Sequence, residues 1–380
     1  MLRKIAALIT TTLYGSETMP THSITIKNKF AHLIAVCALT SHSASSIAAE
    51  VVGDLLHVYG KIHVSIDNSD TDGLNDDTYQ DGVSVSSNSS RVGLKGQYQQ
   101  VIYQIEQEVR IDDSSKGNFA DRNSFVGLTG DWGSLRAGIH DTPFKSIGSK
   151  WGLFGDTIGD RRAILGAGYQ SGNQLNERAK NMIMYQYDHD PALKIQAMYA
   201  VDPEDDGTNA GTVDNNKNEM FGAGLWWRIA DITLSLAYED WTGHSYIIDG
   251  NAYRIAAVWN LARHRLGAIY EDIDPSIVNE FSRKAYGVNW KWRFIEDWDL
   301  RLQYLVADNA ANTTDTGGSN ISAAAYHELN DKTKLYLAYT ATQNDANAKF
   351  PAVDGGHGDE VKTVFGGRPN SLSLGIEFKF

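Results

Sequence analysis

The sequence predicts an all-β fold, a closed barrel of sixteen antiparallel strands that crosses a membrane. Three observations carry that expectation. Apolar residues recur at every second position in short stretches, which is the period of a strand. The connections between stretches alternate between short turns and long polar loops, the asymmetry of a membrane barrel. Aromatic rings gather where the stretches end, as they do at the two membrane–water interfaces.

The chain opens on a segment that reads as a secretion signal. Lys27 and Lys29 form its basic part, Phe30 to Leu39 its apolar core, and Ser46-Ile47-Ala48 a small-x-small cleavage site. The expected division is residues 1–48, an extension and signal that are removed, followed by 49–380 as a single barrel; Met19 is then the natural initiator. The only cysteine, Cys37, falls inside the signal, and the bulky Val36 before it speaks against a lipid-anchoring motif. The exported part is thus expected without disulfides, and a closed hydrogen-bonded barrel is one other source of stability. No later run reaches 18 apolar residues, so no helix there is expected to span a bilayer.

The strands follow in order. Val58, Ile62, Val64 and Ile66 alternate with Tyr59, Lys61, His63 and Ser65, and Val92 and Leu94 with Arg91, Gly93 and Lys95. Leu135, Ala137 and Ile139 alternate with Arg136, Gly138 and His140. The pattern repeats through Leu193–Tyr199, Ile232–Glu239 and Leu300–Val306, and ends on Leu372, Leu374, Ile376, Phe378 and Phe380. Short turns fall near Tyr98, Asp131, Pro191, Ala230, Ala262, Glu296 and Asn330. Long loops are expected near 68–82, 110–121, 141–177, 202–218, 240–251, 271–284, 307–319 and 341–370. Trp132, Trp226, Trp227, Trp259, Trp292 and Trp298 sit beside the short turns, where they suit an interfacial belt.

A net charge of −13 argues against nucleic acid as a partner, which wants a basic face. Patterns that would carry chemistry fail. His327-Glu328 starts a zinc-protease motif, but Asp331 stands where the second His is needed. Asn68, Asp70, Asp72 and Gly73 start a calcium loop that ends on Tyr79 where a bidentate Glu is required. There is no G-x-S-x-G elbow and no P-loop, so neither an enzyme nor a bound cofactor or metal is expected.

Several stretches in order resemble the Gram-negative general diffusion porins, of the neisserial and proteobacterial trimeric type. They are Val58-Tyr59-Gly60-Lys61, Ser90-Arg91-Val92-Gly93-Leu94-Lys95-Gly96, Tyr103-Gln104-Ile105-Glu106, Arg122 to Leu128, Gly133 to Gly138, Ala325 to Thr333 and the terminal Phe380. The resemblance implies that loop 141–177, the third, folds into the barrel and narrows it. It places acids of that loop, Asp156 and Asp160, against basic wall residues Lys61, Arg91 and Arg178. Ile139 stands where many relatives carry Arg, and Arg136, His140 or Arg161 could compensate. It further implies a homotrimer in the bacterial outer membrane, in contact with lipid and lipopolysaccharide, passing small hydrophilic solutes and ions. Phe378 and Phe380 are implied as a signal for the barrel-assembly machinery. Overall acidity and the thinned basic wall lead to an expected weak cation preference. A substrate-selective sugar channel is the alternative, and it would show a line of aromatics along the lumen.

Overall fold

The computed structural model describes residues 54–74, 81–112, 120–204 and 218–380. The expected signal, its cleavage site and Cys37 lie outside the described residues, as does most of loop 202–218.

Strands form where the alternation predicts them. The first four are β1 (His57–Asp70), β2 (Gly82–Ser87, continued by Arg91–Tyr98), β3 (Val101–Glu108) and β4 (Ser124–Gly130). Then come β5 (Gly133–Asp141), β6 (Arg178–Asp190), β7 (Leu193–Val201) and β8 (Glu219–Ile229). The third quarter is β9 (Ile232–His244), β10 (Ile248–Leu261), β11 (His264–Pro275) and β12 (Arg283–Ile295). The last are β13 (Trp298–Ala307), β14 (Gly318–Glu328), β15 (Thr333–Asn344) and β16 (Asn370–Lys379). Each pairs antiparallel with its sequence neighbour. β16 also pairs with β1, from Lys61 opposite Lys379 to Asp70 opposite Asn370. The circle therefore closes with no open edge, the condition for a sheet in lipid.

Two glycine-dependent details shape the closure. Gly60 and Phe380 exchange backbone hydrogen bonds of 3.0 and 3.1 Å, and the Phe380 ring lies over Gly60, where any Cβ would sit 2.3 Å from it. In β2, the three residues Asn88–Ser90 stand opposite two of β1, because Val64 pairs with Ser87 and Lys61 with Arg91. Such an extra residue bends a strand locally, and Ser89 takes a positive φ of 48° to make the bend.

The faces separate as the alternation requires. Val58, Ile62, Ile66, Leu372 and Leu374 point outward and are exposed, while Lys61, His63, Ser65 and Asp67 point inward and are buried. All seven short turns lie where expected. Loop 240–251 does not: β9 runs to His244 and β10 restarts at Ile248, leaving three residues between them. Trp226 also departs from the interfacial belt. It faces the lumen, 8% exposed, beneath the Lys194 ammonium, whereas Trp132, Trp227, Trp259 and Trp298 are outward and exposed.

The hydrophobic core lies inside the barrel. Helix α1 (Pro143–Trp151) of the third loop packs against β8 to β11. Phe144, Ile147 and Trp151 meet inward-facing Met182, Met184, Met198, Met220, Ala237 and Ala252. With nine residues α1 is too short to cross a membrane, and among the described residues no helix qualifies.

Candidate functional site

The third loop is held in the lumen by its own caps and by side chains reaching in from the wall. Thr142 accepts a hydrogen bond from the Lys145 amide, 3.1 Å, and Pro143 opens the first turn, a strong helix start. At the other end Arg265 and Asn289 donate to the Trp151 carbonyl, 2.8 and 3.0 Å, satisfying groups a helix end leaves free. Arg301 reaches the Leu153 carbonyl and Gln303 that of Gly159, both at 2.8 Å. Arg283 binds the carbonyls of Ile164 and Ala167.

Arg254 and Glu271 tie both limbs of the loop. Arg254 donates to the Phe144 carbonyl, 2.8 Å, and to Asn176, 3.0 Å, and stacks 3.7 Å over the Phe144 ring. Glu271, paired with Arg254, accepts from the Gly166 amide at 2.7 Å. Both charged groups are wholly buried, so each needs the other.

The loop leaves an opening on the side of β1 to β5. Lys61 and Arg91 are directly cross-strand, where two like charges repel. Asp156 resolves that: its carboxylate lies 2.7 Å from Lys61 and 3.7 Å from Arg91, and Arg162 contacts it at 3.2 Å. Burial acts to raise the Asp156 carboxyl, but Lys61 and Arg162 outweigh it and hold the group well below the usual carboxylate range. Around this pair, Arg122 bridges Glu106 and Glu108 at 2.8 Å each. Asp141 is held by Lys145 and by Arg178, both at 3.1 Å.

Of the residues singled out by sequence, Lys61, Arg91 and Asp156 therefore meet, and Arg178 lines the same opening farther along, on Asp141. Asp160 lines the opening too, paired with Arg162 at 2.8 Å. It is fully buried and caps the short turn Arg161–Ala163, accepting from the amides of Asp156 (2.8 Å) and Arg162 (3.0 Å). Arg161 is buried within the loop, and Arg136 contacts His140 at 3.3 Å. The reading missed Arg122, Lys145 and Arg162. The Asp160-x-Arg162 spacing was the available signal for the last.

At the outer rim Glu177, Glu204 and His244 come within metal-ligand range of one another. His244 Nδ1 accepts from the Tyr246 amide, 3.1 Å, so the neutral ring carries its proton on Nε2, aimed at Glu177 2.9 Å away.

A family model described as Gram-negative porin matches residues 33–347. The major outer membrane protein P.IB of Neisseria gonorrhoeae is 26% identical over 175 residues, 42% of this chain and 48% of that protein. Chitoporin of Vibrio furnissii is 28% identical over 207 residues, 49% of this chain and 50% of that protein. The chain thus spans about half the length of the curated relatives it matches. Among solved structures, the anion-selective porin from Comamonas acidovorans superposes with a TM-score of 0.69 at 19% identity, covering 86% of this chain and 99% of that one. OmpT of Vibrio cholerae gives 0.61 at 14% identity, covering 86% and 97%. These likenesses show a shared fold.

Proposed function

Because the chain belongs to the Gram-negative porin family, we propose that its outer-membrane barrel is a water-filled channel through which small hydrophilic solutes and ions diffuse passively. The observation that carries this reading is the opening beside the third loop, a cavity of about 1250 Å³ whose lining is charged and polar. Such a lining keeps a water column continuous without any reacting group. Lys61, Arg91 and Arg178 on the wall and Asp156 on the loop are proposed to shape the solute's path, with Asp160 holding Asp156 in place.

The alternative, a sugar-selective channel, takes support from the chitoporin likeness alone. A selective sugar path would want aromatic faces, and no Phe, Tyr or Trp is among the described residues lining the opening. Basic and acidic side chains line it in equal number, so the cation preference is proposed as weak. A homotrimer is proposed from the family, and OmpT of Vibrio cholerae is described in a trimer form. Planar-bilayer recording tests both: stepwise conductance with closures in threes is expected, and no conductance from folded protein would end the channel reading.

The terminal Phe378 and Phe380 are proposed as the signal read by the barrel-assembly machinery. Their rings are outward, half exposed and stacked at 5.9 Å, and Phe380 covers the β1–β16 seam. Deleting Phe380 should lower the rate of assembly while export continues, and Phe380→Tyr should assemble nearly normally. A wild-type folded fraction at the wild-type rate for the deletion would remove that role.

A further inference from the structure

We propose that the eighth external loop, residues 345–369, is a second constriction element, and that Gly356 and His357 at its tip position Asp156. The inference rests on reading the opening as a diffusion path and adds a determinant from the far end of the chain.

The loop runs inward. Ala348, Phe350, Ala352 and Val353 are completely buried, and the Lys349 amide donates to the Tyr169 carbonyl of the third loop at 2.8 Å. The limbs join through Ala352 to Val361 and Val361 to Val353, 2.9 and 3.0 Å, leaving residues 354–360 as a projecting tip.

That tip docks into the bulge of β2. Ser89 donates to the Gly356 carbonyl and the Gly358 amide to Asn88 Oδ1, both at 2.9 Å. His357, 6% exposed, places Nε2 3.2 Å from Asp67 Oδ2 on β1, while Nδ1 lies 2.7 Å from the Asp359 carbonyl and 3.2 Å from the Asp359 amide. Ser86 and Asp359 close the contact on its outer side. The extra residue in β2 thus presents the Asn88 and Ser89 side chains to the tip.

The docked backbone lies against the charged pair. A Cβ at Gly356 would fall 1.9 Å from Asp156 Oδ1 and 2.7 Å from the Arg162 guanidinium. A Cβ at Gly355, which has φ of +90°, would fall 2.4 Å from Arg162 Nε. Asp156 therefore has Lys61 and Arg91 on one side and the loop tip on another, and its place in the opening depends on the tip having no side chain.

The test uses full-length protein with two variants: Gly356→Ala, and a loop in which residues 354–360, His357 among them, are replaced by a short turn. Conductance should rise for the last, roughly doubling as the wider aqueous cross-section allows. Gly356→Ala should shift the permeability ratio of potassium to chloride by roughly twofold or more, because a charged group in the opening moves. In an Asp156→Asn background that shift should vanish, since contacting residues are non-additive; a shift of full size there means the tip does not act through Asp156. Independently of conduction, a Ser86→Cys, Asp359→Cys pair should be joined by a short thiol cross-linker in folded protein, and failure to join overturns the docking. Wild-type conductance and selectivity in the tip-replaced protein would overturn the constriction role. A wild-type protein that never conducts would instead sink the channel reading while the cross-link still reports the docking.

Discussion

The two sides of the lumen obey the same alternation and carry opposite chemistry. On β6 to β10 the inward positions packed on α1 include Met182, Met184, Met198, Met220, Ala237 and Ala252, which are dry, and the buried Glu239 and Arg254 among them are bonded to the Phe144 backbone. On β1 to β3 they are Lys61, His63, Arg91 and Glu106, polar or charged and hydrogen-bonded. In a barrel wide enough to hold water, an inward position is apolar only where something covers it. The inner face therefore records where the third loop lies: small, flexible or loop-bonded residues under the helix, and charges paired with one another where the wall stays open. Gly222 and Gly224 on β8 mark a close approach, since a Cβ at either would fall 3.2 or 2.9 Å from Pro143.

The largest effect is expected on the dry side. Arg254→Met leaves Glu271 buried without its partner, and breaking such a pair is destabilising by about 3–5 kcal/mol. The sixteen-strand ladder does not use either side chain, so the barrel should still assemble. The loop should detach, seen as new protease sites between Pro143 and Gly168 and as larger, noisier conductance. A protected loop at wild-type conductance would mean that the apolar packing alone suffices. Removing residues 148–159 tests the same side by subtraction. It takes Trp151, Phe154 and Asp156 out of the lumen and should raise conductance without preventing assembly; unchanged conductance in folded protein would put the narrow point elsewhere.

On the wet side the effect should be electrical and smaller. Asp156→Asn leaves Lys61, Arg91 and Arg162 facing one another without their carboxylate. The folded fraction should change little, while the reversal potential in a salt gradient moves toward anions. Movement toward cations, or none, would show that ions do not pass beside this cluster.

How much of this difference the sequence announces depends on distance along the chain. The strands and their faces follow from local alternation, which is why β1, β5 and β16 stand where the pattern puts them. The outer end of β9 was hidden because Asp240-Trp241-Thr242-Gly243-His244 reads as a polar loop. In the structure Glu239, Trp241 and His244 point into the barrel and are buried there, so polarity marked the lumen and not solvent. Lys61 and Arg91 were legible from alternation plus resemblance. Asp160 lines the opening as an acid of that loop, while its capping of the turn Arg161–Ala163 had no signal beyond the two-residue spacing to Arg162. The contact of residue 356 with residue 156 leaves no local trace, since it depends on two loops meeting inside a closed barrel.

Lys145 stands on the border between the two sides, and the smallest expected effect belongs to it. It is the third residue of α1, buried on the apolar flank, with its ammonium 3.1 Å from Asp141 at the edge of the opening. Burial pushes its pKa down to about 8, with the Asp141 carboxylate acting against that shift. Below that pH the group is charged and offsets Asp141; as pH rises through about 8 it loses its proton while Arg178 remains on the same carboxylate. One positive charge then leaves the border, so cation preference should increase between pH 7 and 9. The change should be about twofold or less, because mobile ions screen it over about 8 Å at physiological salt. The effect on stability has a definite sign as well. From about pH 8 up to the ordinary lysine value of 10.5 the unfolded chain binds the extra proton, so this group makes the folded state more stable as pH rises through that window. Lys145→Met should remove the pH dependence of the reversal potential and leave conductance near wild type. If the variant keeps the wild-type dependence, the titrating group lies elsewhere in the opening, and Lys145 belongs with the dry side alone.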